Sequence, residues 1–300
     1  MKFIRAAEIL EGAIEEYAPA AIVGLFSGGH DSYTVTHFAA DLLGGRLTKV
    51  AHIDTGIGIP ETQQFVVDRC RAHGWPLQIY RAMENVNAKG EPDPQDYEKM
   101  VTKFGFPGPH GHGLMYIRLK ERALAVIGRE YRGRNVMLIS GCRREESSRR
   151  MRHAEEVQKR GRRIWVAPFA DLDASSCEQY MRDNNLPRNP VKERLCMSGE
   201  CLCGAYAHKN ELNEIEYWYP EVASRIKALE KKVKAAGFPW GWEEAPPAWW
   251  VSRKAHEKAG LADLFEEEYQ DAVQMLCTSC EAKQERVEDH ESNQTTDQDT

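Results

Sequence analysis

Apolar and polar positions alternate along the first two thirds of the chain in a way that predicts strands and helices in turn. Short apolar runs bounded by turn residues predict strands, and apolar spacings of three and four residues predict helices. The predicted strands are residues 20–26, 50–53, 77–80, 135–140 and 164–167. The predicted helices are residues 3–17, 33–43, 61–73, 114–131 and 177–185, and a long loop with a short helix is predicted across 84–113. This alternation predicts an α/β fold with a doubly wound parallel sheet.

The pattern changes near residue 191, where cysteines cluster and helices no longer alternate with strands. We therefore predict an α/β domain over residues 1–190, a cysteine-containing helical appendix over 191–284 and a disordered acidic tail over 285–300. The tail carries six acidic residues and one Arg, a composition typical of disorder. Four of the seven tryptophans fall between residues 240 and 250, where we favour an aromatic core over a platform for stacked bases.

Composition narrows the class of protein further. The sequence contains no run of 18 apolar residues, so no membrane span is predicted. The first residues lack the apolar stretch of a signal peptide, so a cytoplasmic chain without a membrane partner is expected. Eight cysteines in such a chain indicate metal ligands, catalytic groups or core thiols rather than disulfides. The net charge of −6 argues against a generally basic surface, although residues 143–163 hold nine Arg or Lys and only four Glu.

The sequence SGGHDS, residues 27–32, joins the first predicted strand to the following helix. Its glycines let backbone N–H groups turn toward one point, and the start of the helix adds partial positive charge. The loop is therefore predicted to bind an anion, with a glycine-rich turn before a helix as the alternative. Asp31 would repel a bare phosphate, which indicates a bound Mg²⁺ or a hydrogen-bonded serine or backbone partner. The loop lacks the lysine of a Walker A motif.

Three further motifs lie near the ends of predicted strands. Residues 54–56, DTG, follow the second strand, and residues 60–62, PET, open the next helix. Residues 141–150, GCRREESSRR, follow the fourth strand, and their guanidinium groups suit phosphate or sulfate, with a solvated helix face as the alternative. The last motif is PFADL at 168–172 followed by LPRNP at 186–190. Ligands of parallel sheets lie at the carboxyl ends of the strands.

In this order, the four motifs resemble the phosphoadenosine phosphosulfate (PAPS) reductase family of the adenine-nucleotide α-hydrolase, or PP-loop ATP pyrophosphatase, superfamily. The resemblance spans about residues 19–190 and is closest in character to phage-type and DNA-phosphorothioation-type members. It implies the PP-loop fold and, as cofactors, Mg²⁺ with ATP or another adenine nucleotide such as PAPS. It assigns nucleotide binding to Ser27, Gly28, Gly29, Asp31, Ser32, Asp54, Thr55, Gly56, Gly141, Arg143 and Ser147. It assigns catalysis to Ser27, Asp31, Arg143 and Arg150.

The family contains two chemistries. Its reductases attack a sulfonucleotide with a thiolate from a Glu-Cys-Gly-x-His segment, whereas the nearest string here is ECLCGAYAH at 200–208. Its other members cleave ATP at the α-phosphate, release pyrophosphate and let sulfur replace the activated oxygen. We therefore predict an ATP pyrophosphatase that supports sulfur transfer, with nucleic-acid thiolation or phosphorothioation as the candidate reaction. A PAPS or adenylylsulfate reductase that releases sulfite is one alternative, and a non-catalytic nucleotide- and cluster-binding regulatory subunit is another.

Five cysteines form two close groups, and we predict them as metal ligands: Cys196, Cys201, Cys203, Cys277 and Cys280. Four thiolates suit a 4Fe–4S iron–sulfur cluster, which we favour, or zinc. One of the five is then spare, and unrelated thiols are the remaining interpretation. Cys70, Cys142 and Cys177 are predicted to be a buried helix residue, a strand-end residue and a helix residue. The alternative for Cys142 is a reactive thiol, since Arg143 and Arg144 would lower its pKa.

The expected partners are the adenine nucleotide, a sulfur donor such as a cysteine desulfurase, and nucleic acid as a candidate acceptor. Arg160, Arg162 and Arg163 lie beyond the third motif and would serve only a polyanionic partner. His110 and His112 are expected on a flexible loop, which would be either an active-site lid or simply mobile.

Overall fold

A computed structural model describes residues 2–146 and 155–251 of the chain. The chain divides into two compact units. The first comprises Met1–Asp54, Gly58–Arg81 and Ala123–Glu200, and the second comprises Thr55–Ile57, Ala82–Arg122 and Cys201–Thr300. None of the helices in the described ranges has the length and apolar character needed to span a bilayer.

A six-stranded sheet forms the centre of the first unit. Its strands are β1 (Ala21–Leu25), β2 (Lys49–Asp54), β3 (Leu77–Arg81), β4 (Val136–Ile139), β5 (Val157–Arg160) and β6 (Arg163–Val166). They lie in the order β3-β2-β1-β4-β6-β5. All neighbours are parallel except β5, which runs antiparallel to β6. Every residue of β1 and β4 is buried, as expected of a sheet covered on both faces.

The helices are α1 (Lys2–Tyr17), α2 (His30–Leu43), α3 (Pro60–His73), α4 (Tyr97–Phe104), α5 (Gly108–Tyr116), α6 (Arg122–Glu130), α7 (Ala174–Asp183), α8 (Pro190–Leu195), α9 (Glu211–Trp218) and α10 (Pro220–Ala235). A π-helical stretch, Ile117–Glu121, joins α5 to α6. The core of the first unit forms between the sheet and α1, α2, α3 and α7, around the fully buried Leu10, Phe26, Tyr33 and Phe169.

The predicted α/β fold is confirmed, and the five predicted strands correspond to β1, β2, β3, β4 and β6. The edge strand β5 was not predicted because its sequence, VQKR, carries one apolar residue and no alternation. The helix predicted over residues 114–131 is present, but its predicted start is wrong: helical structure begins at Gly108 and continues to Glu130, with a π-helical stretch between α5 and α6.

The loop predicted around His110 and His112 is also wrong. Both residues lie in α5, and His112 is buried. Pro107 and Pro109, which suggested a loop, lie at the start of this helix, where proline is tolerated because the first N–H groups have no intrahelical partner. The histidines therefore belong to a regular element of the second unit.

The aromatic-core interpretation agrees with the structure for two of the four clustered tryptophans. Trp240 and Trp242 are buried, and their indole N–H groups donate to Phe106 O at 3.0 Å and Leu202 O at 2.8 Å. Trp249, by contrast, is 58% exposed. Buried indoles with satisfied N–H groups are structural elements of the second unit.

Two histidines connect α2 to its neighbours in the first unit. His73 Nε2 lies 2.8 Å from the Tyr33 hydroxyl, and its ring stacks on Trp75. His37 Nδ1 lies 3.0 Å from the Tyr180 hydroxyl, and the two imidazole rings are 5.1 Å apart. Burial lowers the pKa of both histidines, and the neighbouring His37 lowers that of His73 further.

The free energy of unfolding is therefore expected to fall as the pH drops through about 6.5, the ordinary pKa of histidine. Just below pH 6.5 the histidines of the unfolded chain bind protons, whereas the folded His37 and His73 remain unprotonated, and this difference favours unfolding. Above pH 6.5 both states are unprotonated, and the contribution of the two histidines to stability is fully present. Urea unfolding at pH values of about 7.5 and 5.5 measures the difference. His37→Gln should reduce the pH dependence of the free energy of unfolding, whereas the control His110→Gln, at an exposed position, should leave it unchanged. A free energy of unfolding that rises on acidification would contradict this prediction.

Candidate functional site

The loop after β1 is closed by its own hydroxyl groups. Ser32 Oγ donates to Gly29 O at 2.9 Å, so its one proton is committed, and Ser27 Oγ therefore donates to Ser32 Oγ at 3.0 Å. The backbone N–H groups of Ser27 and Gly29 donate to Ser32 Oγ and Ser27 Oγ, at 3.2 and 3.4 Å. The first backbone hydrogen bond of α2 runs from Tyr33 N to Gly29 O. The loop thus leads directly into a helix N-terminus, where N–H groups and the helix dipole favour an anion.

The backbone of Gly28 fixes the shape of this loop. Its φ of +89° favours glycine, and a Cβ built there would lie 2.5 Å from Thr62 Cγ2. Its carbonyl accepts a hydrogen bond from Asn189 Nδ2 at 2.8 Å. The oxygen of the same buried side chain, Asn189 Oδ1, accepts a hydrogen bond from Val191 N at 3.0 Å, which makes Asn189 the N-cap of α8. Asn189 therefore joins the fourth sequence motif to the loop.

Gly141 and Arg143 bring the third motif to the same loop. A Cβ on Gly141 would lie 2.5 Å from Ser32 N, so only glycine lets the end of β4 approach the start of α2 this closely. Arg143 Nε donates to Asp31 Oδ1 at 2.7 Å, and its Nη2 donates to the other carboxylate oxygen at 3.4 Å. Arg143 Nη1 donates to Glu145 Oε2 at 2.8 Å, and the arginine side chain is only 8% exposed. Arg143, which was not among the partners expected for Asp31, is thus hydrogen-bonded to both of its carboxylate oxygens.

The segment after α8 also lies beside this loop. Ile59 N donates to Gly199 O at 2.7 Å, and Thr62 Oγ1 donates to Ser198 O at 2.6 Å. A Cβ built on Gly29 would be 3.6 Å from Ser198 Cβ. The start of α3, which follows the DTG motif, is therefore tied to the chain that follows the LPRNP motif.

The DTG residues divide between the units. Asp54 ends β2 in the first unit, where Arg81 Nε lies 3.8 Å from its Oδ2. Thr55, which is buried, and Gly56 belong to the second unit. Two residues before Asp54 on β2, His52 Nδ1 lies 2.8 Å from Phe26 O. Because a carbonyl oxygen only accepts hydrogen bonds, Nδ1 carries the proton. His52 thereby holds the end of β2 to the end of β1.

His30 is a site neighbour that the sequence analysis did not single out. It is the fourth residue of the loop and is buried, with Nε2 3.5 Å from Glu193 Oε1. Burial lowers its pKa, and the positive charge of Arg188 lowers it further, against the opposing effect of Glu193. His30 occupies the variable position of the SGGxDS pattern, so the motif gave no signal for it, whereas Asn189 could have been chosen from the LPRNP motif.

The structure describes three of the five cysteines predicted as metal ligands. Cys196 follows α8 in the left-handed region with a φ of +55° and is exposed. Cys201 and Cys203 belong to the second unit, where the fully buried Tyr97 donates its hydroxyl to Cys203 O at 3.0 Å. Burial raises the pKa of Tyr97, and the two cysteines raise it further.

No group of three or more His, Cys, Asp or Glu suited to a metal ion occurs in residues 2–146 and 155–251. Cys277 and Cys280 lie outside these ranges, as do Ser147, Arg150 and the predicted acidic tail. The backbone between Cys201 and Cys203 is held on both sides, since Leu202 N donates to Ile57 O and Leu202 O accepts from Trp242 Nε1, both at 2.8 Å. Cys201 and Cys203, two of the predicted metal ligands, therefore flank a residue whose backbone is hydrogen-bonded on both sides, and we call this stretch the anchored segment.

The other cysteines are core residues. Cys70, Cys142 and Cys177 are all buried, and burial raises the pKa of Cys70 to about 12. Cys142 is 2% exposed, which disfavours the reactivity considered for it.

Comparison with known proteins places these features in one family. The sequence profile of the phosphoadenosine phosphosulfate reductase domain matches residues 21–201, more than half of the chain. No curated protein matches the chain.

Several solved structures are similar to this chain at low identity. A phosphoadenylyl-sulfate reductase from Candida auris, in a phosphate complex, is 17% identical with a TM-score of 0.45 and covers 63% of this chain and 83% of its own. An NH3-dependent NAD synthetase from Campylobacter jejuni is 12% identical with a TM-score of 0.46, covering 82% and 96%. An FMN adenylyltransferase from Candida glabrata, with FAD and pyrophosphate, is 13% identical with a TM-score of 0.45, covering 64% and 60%.

The profile match overlaps the span over which the four motifs run in order, and it confirms the resemblance seen in the sequence. The chain belongs to the phosphoadenosine phosphosulfate reductase domain family.

Proposed function

We propose that the chain is an enzyme that binds ATP or another adenine nucleotide at residues 27–32, cleaves it at the α-phosphate and supports sulfur transfer. Family membership supports a nucleotide-using activity related to sulfur. The observation that carries the proposal is the loop itself: its hydroxyls are bonded to one another, and Asn189 fixes its backbone from the far end of the domain. Such a loop is ordered before a phosphate arrives, so binding requires little rearrangement.

The chemistry follows from where charge would develop. An acceptor oxygen attacks the α-phosphorus, the bond to the bridging oxygen breaks, and pyrophosphate leaves with the electron pair. The acceptor oxygen then carries AMP, and a sulfur nucleophile displaces AMP together with that oxygen. Backbone N–H groups of the loop and the positive end of α2 stabilise the negative charge on the departing pyrophosphate.

The loop also offers oxygen ligands for the Mg²⁺ that the family implies. Magnesium in nucleotide sites takes one or two carboxylates together with phosphate oxygens and water. Asp31 with the hydroxyls of Ser27 and Ser32 fits that demand, since the three groups lie within one six-residue loop. When bound, the ion would supply positive charge that offsets the charge of the leaving group.

Asp31 and Arg143 are opposite charges in a nearly buried pair, which gives each a positioning role. Arg143 holds Asp31 toward the loop, and the two bonds to Asp31 and Glu145 set the direction of the guanidinium. A ligand phosphate would be a further acceptor for this cation. Arg150 and Ser147 remain predictions for the same anion.

The competing reaction is reduction of PAPS or adenylylsulfate with release of sulfite, which the family's name favours. A regulatory subunit that binds nucleotide without turnover is the third possibility.

A coupled assay of pyrophosphate release from ATP, run beside a sulfite assay with PAPS and a thiol reductant, distinguishes the three. The proposal predicts pyrophosphate that depends on Mg²⁺ and increases with a sulfur donor such as a cysteine desulfurase. Sulfite without pyrophosphate would overturn it in favour of the reductase, and nucleotide binding without either product would favour the regulatory subunit.

The cysteines extend the proposal to a metal centre. Cys201 and Cys203 lie on the anchored segment of the second unit, and Cys277 and Cys280 form a second close pair in the sequence. Four thiolates suit a 4Fe–4S cluster or zinc. Cys196, which lies in the first unit and is exposed, is then the spare thiol.

Anaerobically purified protein is expected to be brown and to contain about four irons per chain. Cys203→Ser and Cys280→Ser should each remove the colour and most of the iron, because each removes one of four ligands. Cys196→Ser and Cys70→Ala should keep both. Metal analysis with absorption spectra makes the measurement; one zinc in colourless protein would reverse the choice of metal, and protein without metal would contradict the centre.

A further inference from the structure

Basic side chains from two separate segments meet at the amino ends of β4 and β6. In the parallel register Val136 lies opposite Arg163, so the turn before β4 lies beside the turn before β6. Val136 N donates to Arg162 O at 2.8 Å, which joins the two turns directly. The amino-edge basic surface comprises Arg132, Arg134, Lys159, Arg160 and Arg162.

The cations of this surface are not neutralised within the described part of the chain. Arg132, Arg134, Lys159 and Arg162 are exposed, and Arg160, which is half-buried, donates to Gln158 Oε1 at 3.0 Å. None of the five forms an ion pair with a described carboxylate. Lys159 Nζ lies 5.4 Å from the centre of the Tyr17 ring.

Acidic residues also border the surface, and one of them, Glu130, is paired with Lys49. Glu16 and Glu155 act on the Tyr17 hydroxyl and raise its pKa, and neither is paired with a cation of the surface. The surface therefore gathers five positive charges without a described carboxylate partner on a chain whose net charge is −6. Such a cluster is repulsive in isolation and is relieved by a polyanion.

The spacing of the cations suits a sugar–phosphate backbone. They enter or occupy three adjacent strands, β4, β6 and β5, which spreads them over about 10 Å at the usual separation of strands. One nucleic-acid strand carries a phosphate about every 3.4 Å. An anionic membrane fits less well, because none of the exposed large apolar side chains of the described residues lies between residues 128 and 166, whereas membrane-surface binding usually buries apolar groups.

The surface lies at the opposite edge of the sheet from the nucleotide loop. β5 spans the distance between the edges: Val157 pairs with Val166 at the carboxyl end of β6, and Arg160 pairs with Arg163 at its amino end. Four residues of strand cover about 13 Å. A polymer bound at the amino edge is therefore held away from the reacting phosphate, and only a long partner can reach both.

We propose that the amino-edge basic surface docks the phosphate backbone of a nucleic acid. Binding itself does not depend on the proposed ATP chemistry; only the further step, that the docked polymer is the sulfur acceptor, rests on the proposed function. The docking surface sets where the polymer lies, and the residues of the nucleotide loop do not contribute to it.

The test measures anisotropy of fluorescein-labelled duplex DNA and single-stranded RNA with the full chain and no nucleotide, across about 50–200 mM salt. Five phosphate contacts on duplex DNA predict a slope of log K against log salt of about −4.5. The variant Arg132→Gln/Arg134→Gln/Arg162→Gln should reduce the slope to about −2 and weaken binding at the lowest salt by at least about tenfold. Its unchanged urea midpoint would establish that the fold is intact.

The matched control is Lys209→Gln/Lys231→Gln/Lys234→Gln, three exposed lysines of the second unit, which changes the net charge equally and should bind like the parent chain. An equal loss in both triple variants would overturn the surface, as would absence of binding at the lowest salt. Binding to phosphatidylserine vesicles without binding to either nucleic acid would overturn it in favour of a membrane. Asp31→Ala should bind nucleic acid normally, so failure of the ATP chemistry and failure of docking are separate results.

Discussion

Asp31→Ala is expected to abolish nucleotide turnover, lowering kcat by at least about 100–1,000-fold, the scale of removing one preorganised electrostatic group from an active site. The carboxylate sits in the second position of α2 and accepts two hydrogen bonds from Arg143, whose side chain is only 8% exposed. Without it, Arg143 loses its orientation and the loop loses its one carboxylate. In the absence of Mg²⁺, removing a negative charge beside a phosphate should not weaken ground-state binding, so the Kd of the metal-free nucleotide is expected to stay constant or fall.

Pyrophosphate release and isothermal titration with a non-hydrolysable ATP analogue measure the two quantities separately. Asp31→Asn keeps the shape and one acceptor but not the charge, and it should be as inactive as Asp31→Ala. Ser27→Ala should also be inactive, because it removes the hydroxyl that holds Ser32. The control is Asp171→Ala, an exposed carboxylate paired with Arg144, which should retain turnover. Full activity in both Asp31→Ala and Ser27→Ala would show that the loop is not the phosphate site.

The second large effect is on stability. Glu130→Leu is expected to lower the free energy of unfolding by about 3–5 kcal/mol, because it leaves the Lys49 ammonium buried without its carboxylate. Lys49 Nζ is hydrogen-bonded to Glu130 Oε2, to Gln78 Oε1 at 2.7 Å and to Tyr80 Oη at 2.6 Å. Its side chain is 10% exposed and that of Glu130 is 30% exposed, which favours the lower end of the range.

Urea unfolding with a double-mutant cycle separates the burial of a lone charge from the loss of contacts. Lys49→Met/Glu130→Leu should recover most of the lost stability, since replacing a buried pair by apolar groups is often neutral. The control is Lys2→Gln, which breaks the exposed pair with Asp173 and should cost less than about 1 kcal/mol. A double variant no more stable than Glu130→Leu would contradict this account.

The sequence predicted the architecture because the strands of the sheet carry their own signal. The central strands are continuous apolar runs, as expected of strands buried on both faces, and β1, β2 and β4 were found within one or two residues of their observed ends. The antiparallel β5 was missed because its position is set by pairing with β6 and not by its own residues. The helix start at Gly108 was missed because the prolines that mark it also mark loops.

The candidate site was predictable only in part, for a similar reason. Motif residues such as Ser27, Asp31 and Arg143 are recognisable by type and spacing. Their pairing is not, since the contact of Arg143 with Asp31 joins residues 112 positions apart. Asn189 acts by holding the backbone of Gly28, and His30 is buried within the folded loop. Both observations depend on contacts that only the folded domain forms, so the sequence alone does not reveal them.

The tie between Asn189 and Gly28 has a consequence for how the site comes into being. It joins residues 161 positions apart, and the approach of Gly141 to Ser32 spans another long separation. Contacts between residues so distant in sequence form late in folding, because a large loop must close first. A short peptide carrying residues 20–45 would therefore hold the motif without its shape. The proposed phosphate site therefore has its shape only in a chain that has completed the whole domain, and on that proposal nucleotide affinity would be a sensitive measure of correct folding.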